Sequence, residues 1–246
     1  MFKIWKNLGE TPLEALERCR VERGVAADVP MTYAGRLDPM AEGELLVLVG
    51  DECRCKADFL GLDKEYEVEI VFGVSTDSYD ALGLVTIGNI EKLKDWNIER
   101  LDPIKYVGKL TQPYPPYSSK AVNGEQLHTL AREGRLPQEM PTKEVEIYSM
   151  EKFSESTITA GELKKRIFDI IDRVKGDFRQ EAIKQRWDEI LSQSFNKSLP
   201  REFPVVTIRV KCSSGTYMRA LADRMGKDAG TSAFALSIKR TNICLK

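Results

Sequence analysis

The chain has 246 residues, is 42% hydrophobic and carries a formal net charge of −1 at pH 7. This length and apolar content are sufficient for a folded globular core. The longest apolar run, Leu45 to Val49, is far too short to cross a bilayer, and the N-terminal residues lack the apolar stretch of a secretion signal. We therefore expect a cytoplasmic protein that is neither secreted nor inserted into a membrane.

Residues that could bind a structural metal are scarce. The five cysteines include no CxxC pair, and His128 is the only histidine, so a zinc site would lack ligands. An odd number of cysteines without paired spacing is typical of reduced thiols. The sequence thus predicts neither a structural metal nor disulfide bonds.

Charge is distributed unevenly along the chain. From Val205 to Lys246 there are eight basic and two acidic residues, a net charge of +6, which leaves −7 for the remainder. Such an asymmetry permits a cationic face for nucleic acid on a nearly neutral protein. It does not require one, because solvated surface charge is the commoner explanation.

The first predicted elements are a helix and a rigid turn. Thr11 to Glu14 combines an N-cap, a proline at the first helical position and an acid three residues after the cap, which predicts a helix ending near Gly24. Farther on, the glycines and the proline of the segment Gly35 to Glu44 predict a turn that holds out the side chain of Asp38, just before the buried strand Leu45 to Val49. An Asx-type turn in which Asp38 only caps local backbone is the alternative interpretation.

Two later segments alternate between apolar and polar residues, as strands do. The first, Lys64 to Phe72, has Tyr66 at its inward-facing start. The second, Val205 to Cys212, is followed by a polar turn and a predicted helix from Tyr217 to Lys227, which puts Arg219 at a helix N-terminus.

Between these strands lie a stiff loop and a helical segment. The prolines and tyrosines of Gln112 to Lys120 predict a loop rather than a helix or central strand, followed by a short helix from about Glu125 to Arg132. Helical periodicity from about Thr159 to Ser194 predicts a hairpin of two helices. We expect one domain over residues 1–246, with residues 155–200 as a helical insertion.

Four separated motifs, in this order, resemble those of the TruB family of tRNA pseudouridine synthases. They are Gly35-Arg36-Leu37-Asp38-Pro39, Lys64-Glu65-Tyr66, Gln112 to Gly124, and Ser213 to Arg219. Each motif is weak alone, but four in the right order are specific. The resemblance runs from Lys6 to Arg240, with the helical hairpin excepted.

The resemblance implies a fold and an activity. The fold would be α+β, a mixed and mainly antiparallel sheet flanked by helices. The activity would be isomerisation of the T-loop uridine at tRNA position 55, performed by a monomer that binds the T-arm and uses no cofactor or metal. Many relatives continue into a small RNA-binding PUA domain, which we expect this chain to lack, and the hairpin could replace it as a clamp on the tRNA.

The family's site residues carry over onto matching positions of this chain. Asp38 matches the catalytic aspartate, Tyr66 the active-site tyrosine, and Arg219 the arginine that pairs with the aspartate, holding it ionised and oriented. Further positions are expected to bind the substrate. Tyr33, Tyr217 and Ile238 would line the uridine pocket, and Lys6, Lys239 and Arg240 would support the loop or contact phosphate.

These residue types suit the reaction. Pseudouridine formation breaks the C1′–N1 bond of uridine and rejoins the base through C5, which calls for a carboxylate beside the ribose. The sequence leaves open whether Asp38 attacks the sugar or base, or removes a ribose proton. Flipping a stacked uridine out of the RNA costs about a few kcal/mol of free energy. Stacking of the base on a side chain such as Tyr66 offsets roughly 1–3 kcal/mol of this cost.

Departures from the family pattern affect RNA recognition. Tyr33 and Phe234 stand where the family has histidines, so stacking could survive but a polar role could not. His128 stands where a tyrosine is usual, and we expect an ordinary surface or packing role for it. Lys120 is shifted by one residue from the usual loop lysine and is assigned to RNA contact on that basis.

Two other functions remain as alternatives. One is a non-catalytic RNA-binding or RNA-folding protein on the same scaffold, although such a protein would have no use for an aspartate facing phosphate. The other is a sugar hydrolase that pairs Asp38 with Asp77 or Asp80. The segment around those two aspartates reads more naturally as a polar turn.

Overall fold

The structure is a computed structural model that describes residues 1–88, 101–192 and 200–245. Within these ranges the strands are β1 (Phe2–Lys6), β2 (Met31–Ala34), β3 (Ala41–Val49), β4 (Asp63–Phe72), β5 (Val74–Thr76), β6 (Val85–Ile87), β7 (Gly108–Pro113), β8 (Ala121–Val122), β9 (Glu125–Gln126), β10 (Thr142–Thr159), β11 (Glu202–Cys212) and β12 (Ala233–Cys244). The helices are α1 (Pro12–Glu22), α2 (Lys56–Leu60), α3 (Leu127–Arg132), α4 (Ala160–Arg173), α5 (Gln180–Ser192) and α6 (Met218–Asp228).

The predicted α+β class is confirmed. In the described part of the chain, eight strands form one sheet in the order β1-β3-β12-β4-β11-β10-β7, with β2 pairing with β3. Its pairings are antiparallel except that of β12 with β3, where residues 238–240 run parallel to residues 41–43. The sheet is therefore mixed and mainly antiparallel, as predicted. The parallel contact brings β12 beside the loop that precedes β3.

Helix α1 begins at the predicted capping box. The hydroxyl of Thr11 accepts a hydrogen bond from the Glu14 amide at 3.2 Å, and the Glu14 carboxylate accepts one from the Thr11 amide at 2.7 Å. The helix ends at Glu22, and Gly24 follows with a φ of +61°, a conformation that glycine adopts without strain. The N-terminal helix is confirmed at both ends.

The two alternating strands occupy the centre of the sheet. β4 starts one residue before the predicted segment and β11 three residues before it. Val68, Ile70 and Ile208 are completely buried and belong to one large hydrophobic cluster. Helix α6 follows β11 and begins one residue after the predicted start. Because β11 pairs with β4 in the sheet, these two strands fix the position of the start of α6, and with it the position of Arg219.

The predicted helical hairpin is present as α4 and α5, but it is part of the main core. Leu163, Ile167, Ile183 and Trp187 are completely buried in the same cluster as the central strands. The helices begin only at Ala160, because residues 155–159 belong to β10 and pair with β11. Residues 193–199, at the end of the predicted insertion, lie outside the described residues.

The loop predicted from Gln112 begins two residues later. Gln112 and Pro113 close β7, which lies at an edge of the sheet, where a proline costs no ladder hydrogen bond. The short helix predicted from Glu125 starts at Leu127, because Glu125 and Gln126 form β9 and pair with β8.

Several features bear on ligands and environment. The five cysteines, all of which lie in the described ranges, are free thiols. Within those ranges, no group of three or more His, Cys, Asp or Glu side chains could hold a metal ion. Of the helices that the structure describes, none combines the length and the apolar character needed to span a membrane.

Candidate active site

Asp38 and Arg219 meet as an ion pair. Asp38 lies in the loop between β2 and β3, and Arg219 is the second residue of α6. Nη2 of Arg219 is 2.8 Å from Oδ2 of Asp38. The arginine side chain is 3% exposed and the aspartate side chain 41% exposed. The predicted pairing is present, and the pair presents its carboxylate to solvent.

The Arg219 guanidinium is enclosed by three other acceptors. Nη1 donates to the carbonyl oxygen of Ser78 at 3.1 Å, and Nη2 donates to that of Tyr117 at 3.2 Å. Nε lies 3.4 Å from Oδ2 of Asp80. Burial opposes the charge of Arg219, but Asp38 and Asp80 outweigh it and raise its pKa. Arg219 is therefore a fixed cation, oriented by the hydrogen bonds of Nη1 and Nη2, while Nε makes an ion-pair contact with Asp80 but no hydrogen bond within the described residues.

Asp80 was considered from the sequence only as the second carboxylate of a hydrolase, and its contact with Arg219 was not predicted. Its side chain is 5% exposed, and Oδ1 accepts hydrogen bonds from the Ser78 hydroxyl at 2.6 Å and from the Leu82 amide at 2.9 Å. Burial raises the pKa of Asp80, and Arg219 opposes that rise. The polar turn was predicted, but turn chemistry does not say that it folds onto an arginine from another element. With these acceptor sites filled, Asp80 is poorly placed to act as the second carboxylate of a hydrolase.

The buried side chains of Lys6 and Arg240 both bind the backbone of the Asp38 loop. Nζ of Lys6 donates to the carbonyl oxygens of Asn7, Pro39 and Ala41 at 3.0, 3.4 and 2.6 Å. Lys6 is 0% exposed, and this burial lowers its pKa to about 8. Of the two predicted roles for Lys6, the geometry favours loop support over phosphate contact.

Arg240 supports the other side of the same loop. Its Nε donates to the carbonyl oxygen of Glu44 at 2.6 Å and its Nη1 to that of Arg36 at 3.0 Å. Arg240 is 1% exposed, so the geometry favours loop support over phosphate contact for this residue as well. Gly43 lets the two strands approach, since a Cβ there would lie 2.2 Å from the Arg240 carbonyl oxygen. The loop is thus held through its backbone, and among the residues that the structure describes Arg219 restrains the Asp38 side chain.

A cavity of about 270 Å³ opens in front of the ion pair. Tyr66, Tyr217 and Ile238 line it, as predicted, together with Asp38 and Arg219. Burial raises the pKa of Tyr66, with the nearby Arg240 acting in the opposite direction, so the phenol is protonated at neutral pH. Among the described residues, the cavity wall therefore combines the Asp38 carboxylate with two tyrosine side chains whose pKa values are raised by burial.

The two tyrosines are held by different means. Tyr66 is fixed by its position on the central strand β4, where it pairs with Val210 and Arg240. Tyr217 is the residue before α6, and its ring packs edge-to-face against Tyr114 with 5.5 Å between the ring centroids. The Tyr217 backbone is also tied to the Gln112 side chain by two hydrogen bonds.

Two predicted site residues do not line this cavity. Tyr33 lies on β2 with its ring 5.2 Å from Nζ of Lys56, and it is not among the described residues of the cavity wall. Lys239 is likewise absent from that wall, because strand alternation turns it away from Ile238 and its Nζ lies 5.4 Å from the Trp5 ring. The predicted place of Tyr33 in the uridine pocket therefore stays a prediction that this cavity wall does not support, and the loop or phosphate role predicted for Lys239 stays a prediction as well.

Lys64 lines the cavity although it was quoted only as part of a motif. Nζ donates to the carbonyl oxygens of Leu62 and Leu60, and burial lowers the pKa of Lys64 to about 8, with Arg240 adding to the effect. The period of two along β4 could have identified it, because it puts Lys64 on the same face as Tyr66. Lys120, by contrast, is exposed beside the Tyr114 ring, and His128 contacts the Ser118 carbonyl from α3.

Comparison with known proteins relates this chain to enzymes that act on RNA. A family profile described as TruB family pseudouridylate synthase (N terminal domain) matches residues 26–167. The tRNA pseudouridine synthase 4 of Saccharomyces cerevisiae is 30% identical over 244 residues, covering 86% of this chain and 60% of that protein. The tRNA pseudouridine synthase B of Francisella tularensis subsp. novicida is 31% identical over 211 residues, covering 85% of this chain and 54% of that protein. The chain thus spans about half to three fifths of the length of these relatives.

A solved structure shares the fold. A chain in the crystal structure of a Cbf5-Nop10-Gar1 complex aligns with a TM-score of 0.51 and 15% identity, covering 97% of this chain and 47% of that chain. At this identity the likeness concerns the fold alone. The family profile covers more than half of the chain and includes the positions of Asp38 and Tyr66. The chain therefore belongs to the TruB family of pseudouridylate synthases.

Proposed function

We propose that this chain isomerises uridine to pseudouridine in the T-loop of tRNA. The observation that carries the proposal is the Asp38–Arg219 ion pair at the mouth of a cavity lined by Tyr66 and Tyr217. Membership of the TruB family supports the reaction, and the names of the curated relatives support tRNA as the substrate.

The reaction requires a bond exchange at one ribose carbon. The C1′–N1 bond breaks, the base turns over, and a C1′–C5 bond forms; the proton on C5 is lost and N1 gains a proton. Asp38 acts on the nucleotide as nucleophile or as base, and both roles begin from the ionised carboxylate. Arg219 stabilises that form through its 2.8 Å contact and keeps the carboxylate pointing into the cavity.

Tyr66 has two parts in this scheme. Its ring offers a face on which the extruded uracil stacks, which offsets part of the cost of leaving the RNA stack. Its hydroxyl assists removal of the C5 proton after the base is rejoined. Because burial raises the pKa of Tyr66, the hydroxyl starts protonated, so it takes the C5 proton only by passing its own proton to solvent at the same time.

The partner of this site is the T-arm of tRNA, which the enzyme engages as a monomer in the cytoplasm. The T-arm and the monomeric state rest on the family resemblance, and the cytoplasmic location rests on the short apolar runs of the sequence. Residues 205–246 carry a net charge of +6, but Arg219 and Arg240 are buried, so attraction for the phosphate backbone comes from the remaining cations of this segment. No organic cofactor or metal takes part in the proposed scheme.

Release of tritium from a T-arm transcript labelled at C5 of uridine tests the proposal. Isomerisation frees the C5 hydrogen, so tritium appears in the solvent in step with pseudouridine. A transcript with cytidine in place of the T-loop uridine is the matched control. Binding of the transcript without release would favour the non-catalytic RNA-binding protein, and release of free uracil would favour a hydrolase.

A further inference from the structure

A second cavity of about 320 Å³ adjoins the first. The two share the walls formed by Asp38, Ser118, Ser119 and Arg219. Its far wall comes from the turn between α4 and α5, through Phe178 and Arg179. These two residues lie beyond the segment 26–167 that the family profile matches. The second cavity is therefore built in part by this chain's own hairpin.

Arg179 and Tyr117 form a stacked pair in this wall. The guanidinium carbon of Arg179 lies 4.2 Å from the centroid of the Tyr117 ring. Asp77 holds both partners: its carboxylate accepts two hydrogen bonds from Arg179, at 2.7 and 3.1 Å, and one from the Tyr117 hydroxyl at 3.1 Å. Arg179 has a φ of +62°, so the turn adopts a backbone conformation unusual for a residue with a side chain. The flat pair is fixed in place before any ligand arrives.

The charge of Arg179 is already balanced, which bears on the chemistry of the ligand. When a carboxylate binds the edge of a guanidinium, the N–H donors on that edge are engaged, and the flat face of the group remains available for stacking. Arg132, in the same wall, is likewise paired with Asp177 at 3.3 Å. The wall thus suits a flat, uncharged group such as a nucleobase better than it suits a phosphate.

A polar group without a partner lies where the two cavities meet. The Ser118 hydroxyl is buried and, in the part of the chain that the structure describes, has no hydrogen-bond partner. Buried polar groups are almost always paired, so an unpaired one beside a cavity is a candidate to bond a ligand. Since the shared wall also holds Asp38, whatever enters the second cavity lies next to the reacting nucleotide.

We propose that the second cavity binds the base of a nucleotide adjacent to the target uridine in the same RNA strand. The base stacks on the Arg179–Tyr117 pair with Phe178 beside it, and Ser118 contacts its polar edge. This proposal rests on the proposed function, because it assumes that the first cavity holds the target. It makes the hairpin turn a recognition element of the site.

Removal of single bases from the RNA, combined with removal of single side chains from the protein, tests the proposal. T-arm transcripts that lack the base on the 5′ or the 3′ side of the target are titrated against the full chain, and dissociation constants are measured. For the unmodified protein, one of the two abasic transcripts should bind roughly 5- to 100-fold more weakly than the intact one. For Arg179→Ala and for Phe178→Ala, that penalty should shrink to less than about 2-fold.

The matched control is Arg186→Ala, an arginine on the same hairpin that pairs with Glu189 outside the cavity wall. This variant should keep the full abasic penalty. Thermal unfolding of each variant checks that it folds, and Phe178→Ala gives the test if Arg179→Ala does not. The proposal is overturned if neither abasic transcript binds more weakly, or if the penalty is the same in all variants. Because binding is measured directly, this outcome is separate from a failure to release tritium, which would overturn the proposed function.

Discussion

The two ends of the Asp38–Arg219 ion pair are held in opposite ways. Asp38 stands on a loop whose backbone carbonyls are bound by the buried side chains of Lys6 and Arg240, while its own side chain is half-exposed. The side chain of Arg219 is buried, and it is held by Asp80 and by the backbone carbonyl oxygens of Ser78 and Tyr117. One end is positioned through its backbone and the other through its functional group.

The difference explains how a reactive carboxylate can be both accessible and fixed. A side chain that must touch substrate cannot also be surrounded by protein partners, so its loop carries the restraint. Its counterion never needs to leave and can be enclosed completely. Changes at the exposed end should therefore alter chemistry with little effect on stability, whereas changes at the buried end should alter both.

The largest effect is expected for Asp38→Asn, which keeps the shape of the side chain but removes its charge. Because the carboxylate starts the reaction, the rate of tritium release should fall by roughly 10²–10⁴-fold or more. RNA affinity should change little, and the loss of stability should be smaller than for removal of Arg219, since Asp80 still lies beside the buried guanidinium. Comparable turnover by this variant would refute the role of Asp38.

The buried end is probed by Arg219→Leu. This change leaves Asp80 buried without its cation, and removing one partner of a buried pair typically costs about 3–5 kcal/mol of stability. Activity should be lost as well. Chemical denaturation measures the first effect and tritium release the second.

The double variant Arg219→Leu/Asp80→Asn separates the two effects. Neutralising Asp80 removes the unpaired charge, so much of the lost stability should return while activity stays absent. Equal stability of the single and double variants would contradict the view that Asp80 depends on Arg219.

Support of the Asp38 loop is tested by the pH dependence of Lys6→Met. Burial lowers the pKa of Lys6 from 10.5 to about 8, so the folded protein loses this proton while the unfolded chain still keeps it. As pH rises from about 8 to 10.5, Lys6 should increase the free energy of unfolding of the unmodified protein by about 3 kcal/mol. The variant lacks this gain.

The unfolding free energy of the unmodified protein minus that of the variant should therefore increase across that pH range. Denaturant titrations at intervals between pH 7 and 10.5 measure it, and contributions from tyrosines, cysteines and Lys64 cancel because both proteins contain them. If the difference in unfolding free energy stays constant with pH, Lys6 is not a buried charged group that binds the backbone of the Asp38 loop.

The smallest effect concerns the stacking face of Tyr66. Tyr66→Leu removes the ring and should weaken binding of the T-arm transcript by roughly 1–3 kcal/mol. Tyr66→Phe keeps the ring, so it should retain affinity but lower the rate of tritium release, because the hydroxyl is gone. Equal binding by the Leu and Phe variants would argue against stacking.

Much of the site was predictable because its signals are local. The glycines and proline around Asp38 identified its turn, and alternation along β4 identified the inward face of Tyr66. The same alternation could have identified Lys64. Asp80 was not predictable in this way, because a polar turn carries no information about the distant arginine that it contacts. Tyr33, which was predicted for the pocket, is not among the described residues of the cavity wall for a related reason: a matching sequence position does not fix the direction of a side chain.

The sequence by itself determined the elements and the family, since capping, turn chemistry and periodicity act over a few residues and the four motifs keep their order along the chain. Only the tertiary structure decided which remote groups meet. Arg219 reaches Asp38 because β12 and β4 hold the two halves of the chain in one sheet, and the turn at Arg179 reaches the second cavity because α4 and α5 pack into the same core. Such contacts depend on strand order and helix packing, which are set by the burial of apolar surface over the whole molecule.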